Sequence, residues 1–354
     1  MHMADALLSP AVAVALYAAS GITVGVSVNT LRKDETSVKL PTMAVASALV
    51  FAGQMVNYTI PGTGSSGHLC GSMMLSALLG PQAGFLSMVV ILAIQCLFFA
   101  DGGLLSLGAN CWNMAFYGCF VGYYLLWRPI MRSNLFSGQD VKKAGRFKVI
   151  LASVLGCVIT LQLGAFSVAL ETSLSGITEL PFSAFVGLMQ PIHLAIGLIE
   201  GLITTAVLLF VYETRSELIM DVDASGVASG KISLGATLGV WVIVVALVGG
   251  GLSLFASSNP DGLEWSLFGN AEAGYSENMG LDEEDYGVSS GAAEVAASIQ
   301  DKTAFLPDYA FADSDSPVGT TVSGLVGSGI VAAVAVLVCM AGGFFRKKKA
   351  AAKS

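Results

Sequence analysis

Three histidines occur in the 354 residues: His2, His68 and His193. Position 2 has distinctive chemistry. A free α-amine on Met1, the amide nitrogen of His2 and the His2 imidazole can close two fused chelate rings around one ion, with three nitrogens in a plane. His68 follows the glycine-rich run Pro61-Gly62-Thr63-Gly64-Ser65-Ser66-Gly67, and a nitrogen from it would complete a square. Planar nitrogen coordination suits Ni(II) or Cu(II) and disfavours Zn(II), which takes a tetrahedron. A bulky second residue is expected to hinder removal of the initiator methionine and so keep the amine in place. Spacing alone also allows a chance histidine after Met1 and a merely solvated loop histidine at position 68.

His193 and Glu200 are seven residues apart, which puts both on one face of a helix. They fall inside the apolar stretch 182–212, where an ionisable residue is a functional candidate. The pair can orient a ligand, serve as an acid–base couple in a membrane enzyme, or lock helices together; spacing leaves these open. Gln95, Asn110 and Asn113 are further polar groups in apolar stretches, where interhelical hydrogen bonding is their ordinary use. The hydrolytic signature HExxH is absent. Gly230-Lys231 is not a phosphate loop, because Ser225 stands where its first glycine is needed and Ile232 where Ser or Thr is needed. The six cysteines show no CxxC spacing and read as small packing residues.

The elements that must hold these groups are set by composition. Hydrophobic residues make up 54% and charged residues 12%, with a mean hydropathy of +0.73. Soluble domains carry about 25% charged residues, so roughly half the charge needed to coat a soluble surface is missing. Apolar stretches at 7–31, 43–57, 69–79, 83–99, 107–127, 149–170, 182–212, 234–256 and 322–345 give nine expected crossings. The third is too short to span alone and requires shielding by neighbouring protein. No basic flank precedes the first stretch, so it does not read as a cleaved signal peptide. Lysine and arginine cluster at 32–39, 128–148, Arg215 with Lys231, and 346–353. With nine crossings these all fall on one side, which predicts the N-terminus outside and the C-terminus in the cytoplasm.

The net charge of −8 conceals segregation: residues 257–322 hold thirteen acids and one base, Lys302, leaving +4 for the rest. That acidic segment is expected to be a weakly folded outward loop, and the balance argues against nucleic acid as a partner.

The residues match a specific pattern. Met1-His2-Met3, Gly64-Ser65-Ser66-Gly67-His68-Leu69 and Leu79-Gly80-Pro81 resemble the CbiM/NikM family. So do Gln95 with Phe98-Phe99-Ala100-Asp101-Gly102-Gly103-Leu104, Leu107-Gly108-Ala109-Asn110 with Asn113-Met114, and His193, Ile196-Gly197 and Glu200-Gly201. Members of that family are substrate-capture subunits of energy-coupling-factor transporters for cobalt and nickel. Pro260-Asp261-Gly262-Leu263-Glu264 resembles the PDGLE signature of the small NikN-like or CbiN-like partner domain, here fused to the capture unit.

The resemblance implies an all-α polytopic membrane protein of a prokaryotic plasma membrane. It implies a seven-span capture domain at 1–212, a cytoplasmic linker at 213–231, and a two-span domain at 232–354 with an external loop at 257–322. Ni²⁺ or Co²⁺ is the implied substrate, held by Met1, His2 and His68, with no permanent cofactor and nickel weakly preferred by the planar nitrogen set. Asp101, Asn110, Asn113, His193 and Glu200 match the family's other polar motifs and are implied to support or pack around the site. Ala4-Asp5-Ala6 departs from the Glu-Gly of many members, which bears on how the amino terminus packs. The implied partners are a CbiQ/NikQ-like transmembrane coupling subunit and CbiO/NikO-like ATPases. The alternatives are cobalt uptake for cobalamin biosynthesis, capture of an organic vitamin in an aromatic cavity, and a membrane enzyme using His193 and Glu200.

Overall fold

A computed structural model describes residues 2–33, 40–136, 138–178, 180–222, 232–272, 274–275, 290–311 and 316–351. α1 (Pro10–Lys33), α2 (Leu40–Gln54), α3 (Ser72–Leu79) and α4 (Pro81–Phe99) lead into a continuous helical rod. The rod comprises α5 (Leu107–Asn110), a π-wound stretch (Cys111–Trp127) and α6 (Arg128–Arg132). α7 (Val141–Ser175) and α8 (Phe182–Arg215) follow, then α9 (Leu234–Gly250), α10 (Gly262–Phe268), α11 (Gly291–Thr303) and α12 (Val318–Ala351). A two-stranded antiparallel hairpin, β1 (Tyr58–Ile60) with β2 (Ser65–Gly67), pairs Thr59 with Ser66.

Six helices among the described residues are long and apolar enough to cross a bilayer: α1, α4, α7, α8, α9 and α12. The chain is an all-α polytopic membrane protein. Val14, Ile22 and Val26 on α1 and Ile243 and Leu247 on α9 are each more than half exposed, as lipid-facing residues must be. The other three expected crossings are helical but atypical. α2 has 15 residues, the 107–132 rod changes winding, and α3 has only eight residues. α3 persists because every residue from Ser72 to Leu78 is buried by its neighbours, so none of its polar backbone meets lipid.

Small residues bring the long helices together. At Gly201 a Cβ would lie 2.8 Å from the Val154 Cα, so α8 runs directly against the α7 backbone. Beside Pro191, Gln162 donates to the Gln190 carbonyl at 2.8 Å and Gln190 donates back to the Gln162 carbonyl at 3.1 Å. α9 and α12 cross at a glycine pair, where a Cβ on Gly324 would lie 1.9 Å from the Gly249 oxygen.

The two ends of the bundle differ in chemistry. Next to the start of α4, Met220 N–H donates to Ala77 O at 2.7 Å, and Arg132 pairs with Asp221. Glu213 pairs with Lys142 at 2.6 Å and with Arg146. The 19 residues of α4, about 28 Å of helix at 1.5 Å per residue, separate this charged end from Asp101.

Two expectations need correction. The apolar stretch 149–170 is part of a longer helix: α7 runs from Val141 to Ser175 and buries Glu171. Within 213–231, Leu218 and Ile219 are buried; residues 223–231 lie outside the described residues. The acidic segment 257–322 is not weakly folded where it is described. It contains α10, α11 and a tight turn at Pro307–Tyr309, because capping side chains and contacts to the first half compensate for its small apolar content. Asp261 and Glu264 form a reciprocal capping box on α10, and the Ser290 hydroxyl accepts from Ala293 N at 3.1 Å to start α11.

The glycine crossing gives a direct test. Gly324→Ala should lower stability by about 1–3 kcal/mol through overpacking, seen as a reduced thermal midpoint in detergent. Gly239→Ala on α9, which meets nothing within 4 Å, should leave the midpoint unchanged or higher.

Candidate metal centre

The amino-terminal segment is threaded into a slot beside the turn that follows α4. Met3 N–H donates to Asn110 Oδ1 at 2.7 Å, and the Met3 carbonyl accepts from Gly103 N at 2.9 Å, Ser106 Oγ at 2.5 Å and Asn110 Nδ2 at 3.2 Å. Asp5 Oδ1 accepts from Ser106 N at 2.9 Å. Gly103 is required by this close approach, since a Cβ there would lie 1.8 Å from Asp5 Oδ1. Asn113 Nδ2 faces the Met3 sulfur at 3.6 Å and donates to Glu171 Oε2 at 2.8 Å. Asn110 and Asn113 thus serve the N-terminal strand, more specifically than general interhelical bonding.

That threading delivers His2 to His68. The two imidazoles stack with centroids 5.3 Å apart and planes 20° from parallel. His68 is placed by the hairpin before it and by Glu200 after it: Glu200 Oε2 accepts from Cys70 N and Oε1 from Gly71 N, both at 2.9 Å. His2 Nδ1 lies 3.1 Å from Asp101 Oδ1, and its Nε2 lies 3.3 Å from Gln95 Oε1. Burial, against the pull of the Asp101 carboxylate, lowers the His2 imidazole to about 4, so the ring is neutral and able to ligate at physiological pH. Met1 lies outside the described residues.

His193 and Glu200 share a helix face but do not form the acid–base couple considered above. Both Glu200 oxygens hold the 70–71 turn, and His193 Nδ1 is 2.8 Å from its own helix carbonyl at Met189. His193 Nε2 has no hydrogen-bond partner among the described residues. It borders a small cavity of about 10 Å³ with His68 and Asp261.

The second half of the chain closes over the site. Ser66 N–H donates to Pro260 O and Ser66 Oγ to Asn259 O, both at 2.8 Å, while the Trp265 indole donates to Thr63 O at 2.8 Å. His68 Nε2 lies 3.8 Å from Asp261 Oδ2. On the other side, Gln300 donates to Gly102 O at 2.9 Å and Cys96 O at 3.0 Å. Tyr309 Oη donates to Asp101 Oδ2 at 2.5 Å, with its ring stacked on Phe99 at 4.9 Å. Between the halves lies a cavity of about 580 Å³ that includes His2, Asp5, Asp101, Asp261, Glu264, Glu294 and Asp308. Its carboxylates feel one another. Glu264 is raised by the charge of Asp261 and by burial, and Asp308 by burial and by Asp101. Such a field favours a cation.

Among the described residues, no three His, Cys, Asp or Glu side chains converge as a cage. Two imidazoles, His2 and His68, approach each other, and His193 borders the small cavity beside His68. Sequence reasoning missed Ser106, Glu171, Gln300 and Tyr309. Glu171 carried a usable signal, an acid at the end of an apolar span; Tyr309 carried none.

A family model described as the cobalt uptake substrate-specific transmembrane region, CbiM, matches residues 2–218. The chain belongs to the CbiM family. A PDGLE domain model matches residues 235–342, so a CbiM region is joined to a PDGLE region in one chain. A putative fused nickel transport protein NikMN of Archaeoglobus fulgidus is 33% identical over 334 residues, covering 94% of this chain and 96% of that one. The fused nickel transport protein NikMN of Rhodobacter capsulatus is 30% identical, covering 94% and 95%. A solved truncated transition metal transporter is 30% identical with a TM-score of 0.51, covering 60% of this chain and 99% of its own. This CbiM-family chain is a transport subunit rather than an enzyme.

The Glu200 clamp is testable without metal. Glu200→Gln sets an amide N–H against backbone N–H groups, and hydrogen bonds to charged groups contribute about 1.5–3 kcal/mol each. Hydrogen exchange at the Cys70 and Gly71 amides should accelerate at least about tenfold, while amides in α1 stay protected.

Proposed function

We propose that the chain captures Ni²⁺, with Co²⁺ as the alternative cargo for cobalamin biosynthesis, at a site formed by the Met1 amine, the amide and imidazole of His2, and His68. The observation that carries this reading is the stacking of the His2 and His68 rings beside a carboxylate-lined cavity. Closing the second chelate ring requires His2 Nδ1, the ring nitrogen nearer its own backbone. Capture therefore exchanges the 3.1 Å contact of Nδ1 with Asp101 for the ion. Three roles support the site: Asn110 and Asn113 hold the threaded strand, Glu200 holds the His68 turn, and His193 packs beside it.

Nickel is favoured over cobalt on two grounds. Four planar nitrogens suit Ni(II), and the two NikMN relatives that match both halves of the chain are named nickel transport proteins. Availability must exclude copper, which binds such donors more tightly.

The division of labour follows from the same reading. Residues 1–212 form the capture domain, 213–231 a cytoplasmic linker, and 232–354 a two-span domain whose external segment 257–322 covers the site and concentrates cations. The N-terminus faces outside and the C-terminus the cytoplasm. A CbiQ/NikQ-like coupling subunit and CbiO/NikO-like ATPases supply the energy for release.

Extending the N-terminus by three residues converts the α-amine into an amide and displaces the chelate. Nickel binding measured by equilibrium dialysis should fall at least about 100-fold, with the thermal midpoint of the metal-free protein retained. Undiminished binding to the extended protein would overturn the site assignment.

A further inference from the structure

The PDGLE segment brings the second carboxylate oxygen of Asp261 to His68. Each of its five residues has a local task, and together they aim that atom. The Pro260 carbonyl accepts from Ser66 N–H at 2.8 Å, two residues before His68. Asp261 Oδ1 accepts from Leu263 N at 2.7 Å and Glu264 N at 3.0 Å, capping α10. Glu264 Oε2 returns the bond to Asp261 N at 3.1 Å. Leu263 is buried in the core at 1% exposure. Gly262 packs flat against α8, where a Cβ would lie 3.0 Å from both His193 Cε1 and Ile196 Cδ1. With Oδ1 committed to the helix cap, the carboxylate is fixed in orientation. Its Oδ2 faces His68 Nε2 at 3.8 Å.

Asp261 also belongs to both cavities. It lines the 580 Å³ carboxylate cavity and the small one shared with His68 and His193. It therefore borders both the acidic cavity and the space beside His68. His68 Nδ1 is turned to the backbone, 3.2 Å from Leu69 O, and Nε2 is the nitrogen that faces Asp261.

We propose that Asp261 is an oxygen ligand to the captured ion, so that the PDGLE half supplies a donor on the open face of the nitrogen set. The inference rests on His2 and His68 as ligands. A carboxylate bound above a nitrogen plane makes the ion five-coordinate. It also offsets the positive charge that remains when the ion has displaced one amide proton. Oxygen ligation suits Co(II) as well as Ni(II), so one site accommodates both.

The test uses the full chain in detergent, loaded with nickel(II) or cobalt(II) salts, comparing the native protein with Asp261→Asn. Asparagine is a strong N-cap, so α10 is retained while the charged donor is lost. The native protein should show the visible spectrum and paramagnetism of five-coordinate nickel. Asp261→Asn should shift to a planar, diamagnetic nickel species, change the cobalt band intensities, and bind at least about tenfold more weakly. Glu294→Gln removes another carboxylate of the cavity and should leave both spectra unchanged. Identical nickel and cobalt spectra in the native and Asp261→Asn proteins would overturn the proposal, whatever the affinities. If Glu294→Gln shifts the spectra as Asp261→Asn does, the effect is one of field, and ligation is likewise overturned. The N-terminally extended protein separates the two readings. Loss of binding there together with unchanged Asp261→Asn spectra refutes only the oxygen ligand, whereas full binding there refutes the capture site itself.

Discussion

The arrangement depends on fixing the short segment that precedes α1. Ordering each of its backbone units costs about 1–2 kcal/mol. Met3 supplies the restraint: its N–H and carbonyl are bound by Asn110, Gly103 and Ser106, and its side chain is fully buried. Only because residue 3 is held on both sides is residue 2 presented at a defined place. The asparagines that hold it sit where the helical rod begins its π winding, and Gly103 keeps the facing turn free of side chain.

The opposite half of the site uses the same economy. His68 follows a hairpin of two three-residue strands, too small to be stable alone. It is secured from below by the buried Glu200 carboxylate and from above by the backbone of residues 259 and 260. A buried carboxylate is costly unless hydrogen-bonded, and the two amides at Cys70 and Gly71 meet that requirement while immobilising the turn. Both Glu200 oxygens are thus occupied in positioning the turn, and the residue does not pair with His193 despite their shared helix face.

Asp101 links the two regions of the chain. One oxygen faces His2 and the other accepts the Tyr309 hydroxyl, while Gln300 fastens the neighbouring turn. The PDGLE region therefore bears on His2 through Asp101 and on His68 through Asp261. The fusion of both regions in one chain guarantees that these contacts form without a separate encounter, an advantage of effective concentration.

Composition, apolar run lengths and the two histidines were enough to establish a polytopic helical protein, and the ordered motifs were enough to suggest a metal-capture family. Those are properties of short windows: hydropathy over some twenty residues, or a motif of five. The roles of Glu200, Glu171, Asp261 and Tyr309 were not legible in that way. Cys70 meets Glu200 across 130 positions, Met3 meets Asn110 across 107, and Tyr309 meets Asp101 across 208. No local periodicity encodes such partners. The acidic segment shows the limit most clearly, since its composition reads as unfolded and its order comes from surfaces of the other half. The sequence by itself determined the solvent this chain must live in and which nitrogens are available; the tertiary structure decided which carboxylates meet them, because that depends on helices brought together through glycine contacts far apart in the chain.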